Sequence, residues 1–321
     1  MEKIDKKDKI LLYELRRNCR QPYSRLAKAA KLSKQMVQYR VSRLVRLGIL
    51  DGTVLAMDAG RLGFQNYAVY FQWGDDSPKE SFVKDVMNDA TTRYAAESSG
   101  RVDFIVSFFA RNPLEFQQVW DKYVSKYGAA IRSHSIYIST EHRAFERTGL
   151  LGEKPSKERE VFLGSAGEPV KTDDSDRNIV KALAKTPRAS IVSIANTCSL
   201  APDTVKSRLK RLEKSGLIQG YAWLYNPETL GLRMYELLLS LRGMDSRKWE
   251  ELRAYCQSNS KITYFIRSIG AFDADIIFEV GDDSEFYEEL HKLRKLFSIH
   301  IHDFDVVKIL KEHKFSYAPF L

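Results

Sequence analysis

Between Lys34 and Gly48 the sequence "KQMVQYRVSRLVRLG" places Lys34, Gln35, Gln38, Tyr39, Ser42, Arg43 and Arg46 at helical spacing, opposite Val37, Val41 and Leu44. On one helix these polar side chains form a stripe directed away from the core. Lysine and arginine neutralise phosphates, while glutamine, tyrosine and arginine can reach base edges. A second stretch, "PDTVKSRLKRLEKSG", offers Lys206, Ser207, Lys210, Arg211 and Lys214 in the same way, with Asp203 beside them. The chemistry in view is recognition of a polyanion, and double-stranded DNA is the polyanion whose major groove admits a helix.

Other candidate chemistry is thinner. His300 and His302 alternate along "IHIHD" on one expected strand face, but two ligands do not make a metal site. Cys19, Cys198 and Cys256 have neither metal-ligand spacing nor the number for a disulfide framework, and read as buried free thiols. No phosphate-cradling glycine loop and no Ser/His/Asp arrangement stands out. The expectation is no catalytic residue, no cofactor and no metal.

The elements that must hold the two basic stripes come twice. Asp8 and Asp176 lie 168 residues apart, and the same offset pairs Leu15 with Leu183, Arg20 with Arg188, Leu32 with Leu200, Val37 with Val205, Arg40 with Arg208, Arg43 with Arg211 and Gly48 with Gly216. Charge follows the repeat: residues 1–52 carry 14 Lys and Arg against 5 Asp and Glu, and residues 173–221 carry 9 against 5. The intervening stretches are near neutral or acidic. Two basic segments alternating with two that are not suits a chain that touches a polyanion at two places.

Each basic segment reads as three helices. "IDKKDKILLYELRR" opens on Asp5 as N-cap with Asp8 three residues on, and "TDDSDRNIVKALAK" repeats this with Asp173 and Asp176. Second helices are expected near Tyr23–Ala30 and Ile191–Cys198, followed by short turns and the stripes described above. Two helices joined by a short turn, the second basic on its free face, is a helix-turn-helix pattern.

After a further strand, each half gives strand, helix, two strands, helix, strand, the βαββαβ order of a ferredoxin-like unit. In "NYAVYFQW" Tyr67, Val69, Phe71 and Trp73 point one way and Ala68 and Tyr70 the other, so both sheet faces are apolar. Such a sheet needs a second cover. Either the two sheets pair inside one chain as a pseudo-dimer, or each pairs with another chain in a homodimer.

These residues resemble the Lrp/AsnC family of prokaryotic, often archaeal, transcription regulators. The likeness rests on "IDKKDKILLYEL" with "RLAKAAKLSKQMVQYRVSRLVRLGIL", and on "DSDRNIVKAL" with "SIANTCSLAPDTVKSRLKRLEKSGLIQGY". It implies an α+β chain of two tandem copies: winged helix-turn-helix domains at 1–60 and 173–228, ferredoxin-like effector and dimerisation domains at 61–146 and 229–321, and a linker at 147–172. The family usually carries one of each domain per chain. It also implies a small-molecule effector, such as an amino acid, near a glycine turn between the second and third strands, here Gly100 and Asp103, and Gly270 and Asp273. A hairpin glycine beside an aspartate is the structural alternative for these four.

The first basic segment carries more charge, so the first recognition helix is expected to dominate affinity, on an asymmetric DNA site. In the linker, "TGLL" and "REVFLG" could pair as a hairpin. Two rival functions remain: an architectural protein holding DNA through phosphates alone, and an enzyme on the same fold, as in haem-precursor decarboxylases, whose His-Asn-Tyr-Arg segment is not found here. With no long apolar run and a charged N-terminal region, the chain reads as soluble and cytoplasmic, without membrane contact.

Overall fold

The computed structural model describes residues 4–152, 161–162 and 168–319. Helices α1 (Lys6–Arg17), α2 (Tyr23–Ala30) and α3 (Lys34–Arg46) come first. The strand β1 (Leu50–Met57) follows, then β2 (Gln65–Trp73), α4 (Lys79–Asn88), β3 (Thr92–Gly100), β4 (Phe104–Ala110), α5 (Pro113–Tyr127) and β5 (Ile131–Ala144). After a short strand β6 (Val161–Phe162) the same order recurs. It runs through α6 (Asp174–Lys185), α7 (Ile191–Cys198), α8 (Pro202–Lys214), β7 (Ile218–Tyr225), β8 (Arg233–Leu241), α9 (Ser246–Ser258), β9 (Ile262–Gly270), β10 (Ala274–Val280), α10 (Asp283–Leu296) and β11 (Ile301–Phe315). No described helix is long and apolar enough to cross a membrane.

The two helical units form for matching local reasons. Asp5 accepts from the Asp8 amide at 2.9 Å while Asp8 accepts from the Asp5 amide at 3.1 Å, a reciprocal cap repeated by Asp173 and Asp176 at 2.8 and 3.2 Å. The turns before α3 and α8 pass through Lys31 (φ 52°) and Ser199 (φ 54°), left-handed residues at equivalent positions. Each is followed by a backbone bond, Leu32 to Ala27 and Leu200 to Ala195, both 2.9 Å, that closes the end of the preceding helix. Leu11, Leu12, Leu15, Leu26, Val37, Val41 and Leu44 fill the first core, and Ile179, Leu183, Ile194, Val205, Leu209 and Leu212 the second.

The strand after each third helix finds its partner in the other half. β1 pairs antiparallel with β7 about Val54 opposite Ala222. The bond from the Asp58 amide to the Leu217 carbonyl is mirrored by that from Asn226 to Ile49, both 2.9 Å. Leu55, Ala56 and Met57 pack into the second helical core, and Trp223 and Tyr225 against the first. The two helical units are thereby tied together by exchanged apolar strands, across the expected boundaries at 60 and 173.

The remaining long strands close on themselves. The order β5-β2-β4-β3 from the first half and β11-β8-β10-β9 from the second join at β3–β11 and β9–β5, making an antiparallel ring of eight strands. Tyr67, Val69, Phe71, Trp73, Phe104, Val106 and Phe108 face outward under α4 and α5. Ala68, Tyr70 and Ile105 face inward and meet Leu238, Val307 and Ile309 of the other half. The second cover that the doubly apolar strands require is the opposing sheet of the same chain.

Gly100 and Gly270 sit at these joins rather than simply at hairpin tips. Gly100 (φ 112°) lies opposite Val307, where a Cβ would stand 2.7 Å from the Val306 carbonyl oxygen. At Gly270 a Cβ would stand 2.7 Å from that of Ile136. Side chains there would hold the two sheets apart.

The expectation about the linker changes. Thr148–Leu151, the "TGLL" stretch, forms a 3-10 turn, and Val161–Phe162 pairs instead with Arg143 and Ala144 at the end of β5; the rest of "REVFLG" lies outside the described residues. The beginning of the linker is also fastened down. Arg147, 7% exposed, pairs with Glu279 and lies over the Tyr264 ring.

Candidate nucleic-acid interface

The α3 face anticipated from the sequence is exposed at Lys34, Gln35, Gln38, Tyr39, Ser42 and Arg46, with Tyr39 at 60%. On α8 Asp203, Lys206, Ser207, Lys210, Arg211 and Lys214 are exposed. Ser33 caps α3 by accepting from the Met36 amide at 3.1 Å, and Pro202 begins α8.

Two of the expected contact residues have other work. Arg43 Nη2 donates to Asp8 Oδ2 at 2.7 Å, and Arg40 Nη1 to Asp8 Oδ1 at 2.9 Å, with Asp8 fully buried. Arg211 and Arg208 grip Asp176 in the same way, Arg208 at 2.8 Å. Asp8 and Asp176, the second aspartates of the two capping pairs, are thus the anchors of α3 and α8, each holding its helix at a fixed angle to the first helix of its unit. Burial alone would raise the Asp176 pKa, but the bonds from Arg211 and Arg208 outweigh it and hold the carboxyl below its ordinary value. Arg43 is therefore a framework residue. Arg211, whose side chain stays half exposed, is partly so.

Ion pairing changes the count of free cations on the two helices. Among the described residues, the α3 cations without an ion pair are Lys34 and Arg46, whereas α8 keeps Lys206, Lys210 and Lys214. Composition counted Arg40 and Arg43 as available charge, and Asp8 takes both. The first helix carries more exposed amides and hydroxyls, the second more unpaired ammonium groups.

The other candidates make local contacts in this geometry. Asp103 Oδ2 accepts from the Trp73 amide at 2.9 Å, and Asp273 Oδ2 from the Leu241 amide at 2.6 Å, each tying its turn to a neighbouring strand. Gly100 and Gly270 are exposed beside the two sheet joins. His300 lies in the turn before β11 with Nδ1 3.1 Å from the Arg242 carbonyl oxygen, so it does not share a strand face with exposed His302. No group of three or more His, Cys, Asp or Glu able to hold a metal occurs among the described residues. Cys19 and Cys256 are buried, whereas Cys198 is only half-buried.

Sequence reasoning missed a cluster inside the ring of strands, where Arg93, His142, Glu236 and Asp275 are each at most 6% exposed. Its signal was present in "MYELLLSL", where Glu236 is the one acid between Met234 and Leu238 on the inward row, and in "FDADIIFEV", where Asp273, Asp275 and Glu279 share the inward row with Ile277. Burial pushes Glu236 up to about 7, with the Glu312 charge adding to it, and burial together with Glu236 lifts Asp275 well above the carboxylate range.

Residues 4–45 match the AsnC-type helix-turn-helix domain, and residues 172–219 match a winged helix-turn-helix DNA-binding model. The chain is 28% identical over 116 residues to the HTH-type transcriptional regulator FL11 of Pyrococcus abyssi, covering 36% of this chain and 76% of that one. It is 33% identical over 117 residues to the leucine-responsive regulatory protein of Salmonella typhimurium, covering 36% of this chain and 70% of that one. The chain belongs to the Lrp/AsnC family of transcription regulators. Its place there makes DNA binding through the helix-turn-helix the family expectation for α3 and α8. Among solved structures, the siroheme decarboxylase NirDL superposes with a TM-score of 0.65 at 11% identity, covering 98% of this chain and 94% of that one. Another structure of that protein holds an iron-uroporphyrin III analogue. At that identity the likeness is one of fold.

Proposed function

We propose that this Lrp/AsnC-family protein is a sequence-specific DNA-binding regulator built as two tandem copies, each a winged helix-turn-helix followed by a ferredoxin-like domain. The two copies act as an intramolecular pseudo-dimer. The observation that carries the reading is the pair of exposed faces on α3 and α8, each held by an Asp–Arg–Arg anchor and linked to the other through the β1–β7 ribbon. Gln35, Gln38, Tyr39 and Ser42 read base edges. Lys34, Arg46, Lys206, Lys210 and Lys214 hold phosphates, with Ser207 and the exposed part of Arg211 beside them. Because the two faces differ, the site on DNA is asymmetric. A small effector at the Gly100 and Gly270 turns would touch both halves at once, since both turns lie at the joins between the sheets.

The test is selection of bound fragments from the source genome by purified protein, then footprinting at two salt concentrations with and without pooled amino acids. A discrete asymmetric footprint that resists competitor DNA is expected. A palindromic consensus bound by one chain overturns the asymmetric reading, and uniform binding that vanishes with salt replaces the regulator with an architectural protein.

One observation favours a second reading, an enzyme on this fold: a cleft of about 1070 Å³ between the ribbon and the barrel, lined by Arg16, Arg147, Tyr225, Tyr264, Glu279 and Lys308 among others. Visible absorbance of the purified protein and a decarboxylation assay with a haem precursor separate the two.

A further inference from the structure

Helices α3 and α8 share one frame. Each is 13 residues long, each follows a left-handed residue at the equivalent position, Lys31 or Ser199, and each is gripped through two of its arginines by a buried aspartate. With the frames matched, a difference between exposed side chains at equivalent positions is a difference in what the two helices present outward. Gln35 and Asp203 are such a pair. Each is the second residue of its helix, each is exposed, and neither makes a hydrogen bond or ion pair among the described residues.

Asp203 stands apart from the other acids on the helices of the two helical units. Asp8 and Asp176 hold arginines, Glu14 accepts from Gln21 at 3.1 Å, Asp174 from Arg177 at 2.6 Å, and Glu213 from the Tyr221 hydroxyl at 2.8 Å. Asp203 alone has no partner among the described residues, although Lys206 stands one turn on. It is not a cap either, since Ala201 is the N-cap of α8 and no side chain bonds there. A free carboxylate on the face of Lys206, Lys210 and Lys214 opposes their attraction for phosphates. What it can supply on that face is a hydrogen-bond acceptor.

Residues at the start of a recognition helix meet base edges in the major groove. Guanine and thymine present only acceptors there, and adenine sets the N7 acceptor beside its N6 donor, so an ionised carboxylate is repelled by each of them. Cytosine presents the N4 donor alone and suits it. A carboxamide both donates and accepts, and so matches adenine N6 and N7. We propose that Asp203 selects cytosine in the half-site under α8 at the place where Gln35 selects adenine in the half-site under α3. This rests on the regulator reading above and places its asymmetry at one matched base of the two halves.

Selection from a randomised duplex library with the full chain, followed by competition between the winning duplex and single-base variants of it, tests this. The unaltered chain should select a site whose halves differ at one matched position, adenine in one and cytosine in the other. Replacing that cytosine by adenine should weaken binding at least about tenfold. Asp203→Gln should reverse that preference and leave the other half unchanged, and Gln35→Asp should turn adenine into cytosine in the other half. The double exchange Gln35→Asp with Asp203→Gln should move each base to the opposite half. Both residues are exposed, and each variant is first checked for native circular dichroism; if one fails to fold, the site selected by the unaltered chain decides alone. The same base at the matched position in both halves overturns the proposal. So does a discrete site left unchanged by Asp203→Gln while thermal stability falls, which would give Asp203 only the role of a negative charge at the positive end of α8. Either result leaves the regulator reading standing, whereas uniform binding with no selected site removes that reading and this one together.

Discussion

Replacing Lys206, Lys210 and Lys214 together by Gln tests the phosphate-holding role proposed for α8 apart from everything else in the molecule. All three are exposed and make no ion pair among the described residues, so their loss leaves the framework intact. Each lysine that neutralises a phosphate adds about 0.9 to the magnitude of the slope of log K against log salt. Three together make roughly 2.7, which over a fourfold rise in salt corresponds to about a 40-fold change in affinity. Fluorescence anisotropy on one selected duplex, from 50 to 200 mM salt, reads this directly. The triple variant should show a slope shallower by about 2–3, with the preferred sequence unchanged. The control is Arg43→Gln, whose guanidinium is already taken by Asp8; it should lower thermal stability while moving the slope by much less than one phosphate's worth. An unchanged slope in the triple variant, or a large slope change in Arg43→Gln, would refute the assignment of free and committed cations.

Further outcomes follow from the same geometry. Gln35→Ala with Gln38→Ala should leave the salt slope in place but flatten base preference, costing about 1–3 kcal/mol against the best sequence and little against random DNA, measured by competition binding. Asp176→Asn should cost about 2–3 kcal/mol in urea unfolding at pH 7, below the usual figure for a broken buried pair because Arg208 and Arg211 are partly exposed. Since the folded pKa of Asp176 is lowered, its contribution is present above about pH 4 and is lost as pH falls through the folded value, so the difference from the unaltered chain should shrink in acid. Gly270→Ala should destabilise by about 1–3 kcal/mol, because its methyl would stand 2.7 Å from the Ile136 carbonyl oxygen. Glu236 runs the other way in pH: its folded pKa of about 7 against an ordinary 4.5 means the fold keeps a proton the unfolded chain releases. Stability should therefore fall as pH rises between those values, by up to roughly 3 kcal/mol, and Glu236→Gln should remove that slope and be the more stable protein at pH 8.

Local and periodic information made much of this legible in the chain. The cap pairs Asp5–Asp8 and Asp173–Asp176, the second helices and the opposed faces of "NYAVYFQW" are matters of spacing within one element, and they stand as read. What spacing cannot show is the partner supplied from elsewhere. Arg43 looks like a contact residue until Asp8, 35 positions away, is seen to hold it. Gly100 looks like a turn until β11, some two hundred residues later, is laid against it. The exchange of β1 and β7 between helical units is likewise invisible to periodicity, which marks an apolar strand face but not the unit that covers it.

The barrel interior shows what a two-half chain permits that an exact two-fold dimer does not. By strand order and register, Glu236 and Asp275 occupy the positions that Ala68 and Ile105 hold in the first half, while Arg93 and His142 occupy those of Thr263 and Glu312 in the second. The wall with Glu236 and Asp275 therefore comes from β8 and β10 and the wall with Arg93 and the neutral His142 from β3 and β5, with small or apolar residues at three of the four equivalent places. Two identical subunits would put each set on both sides, crowding two guanidinium groups and four carboxyls into one closed space at a desolvation cost that burial multiplies. With the halves joined in one chain, each position can change without its symmetry mate. The same freedom separates Gln35 and Tyr39 on α3 from Asp203 and Ser207 on α8. If that reasoning holds, transplanting Ala68→Glu and Ile105→Asp into the first half, to restore symmetry, should destabilise the protein far more than the same residues cost at positions 236 and 275. Urea unfolding of that double variant would decide it: stability within about 1 kcal/mol of the unaltered chain would mean that the barrel tolerates four buried acids and that its asymmetry has no electrostatic basis.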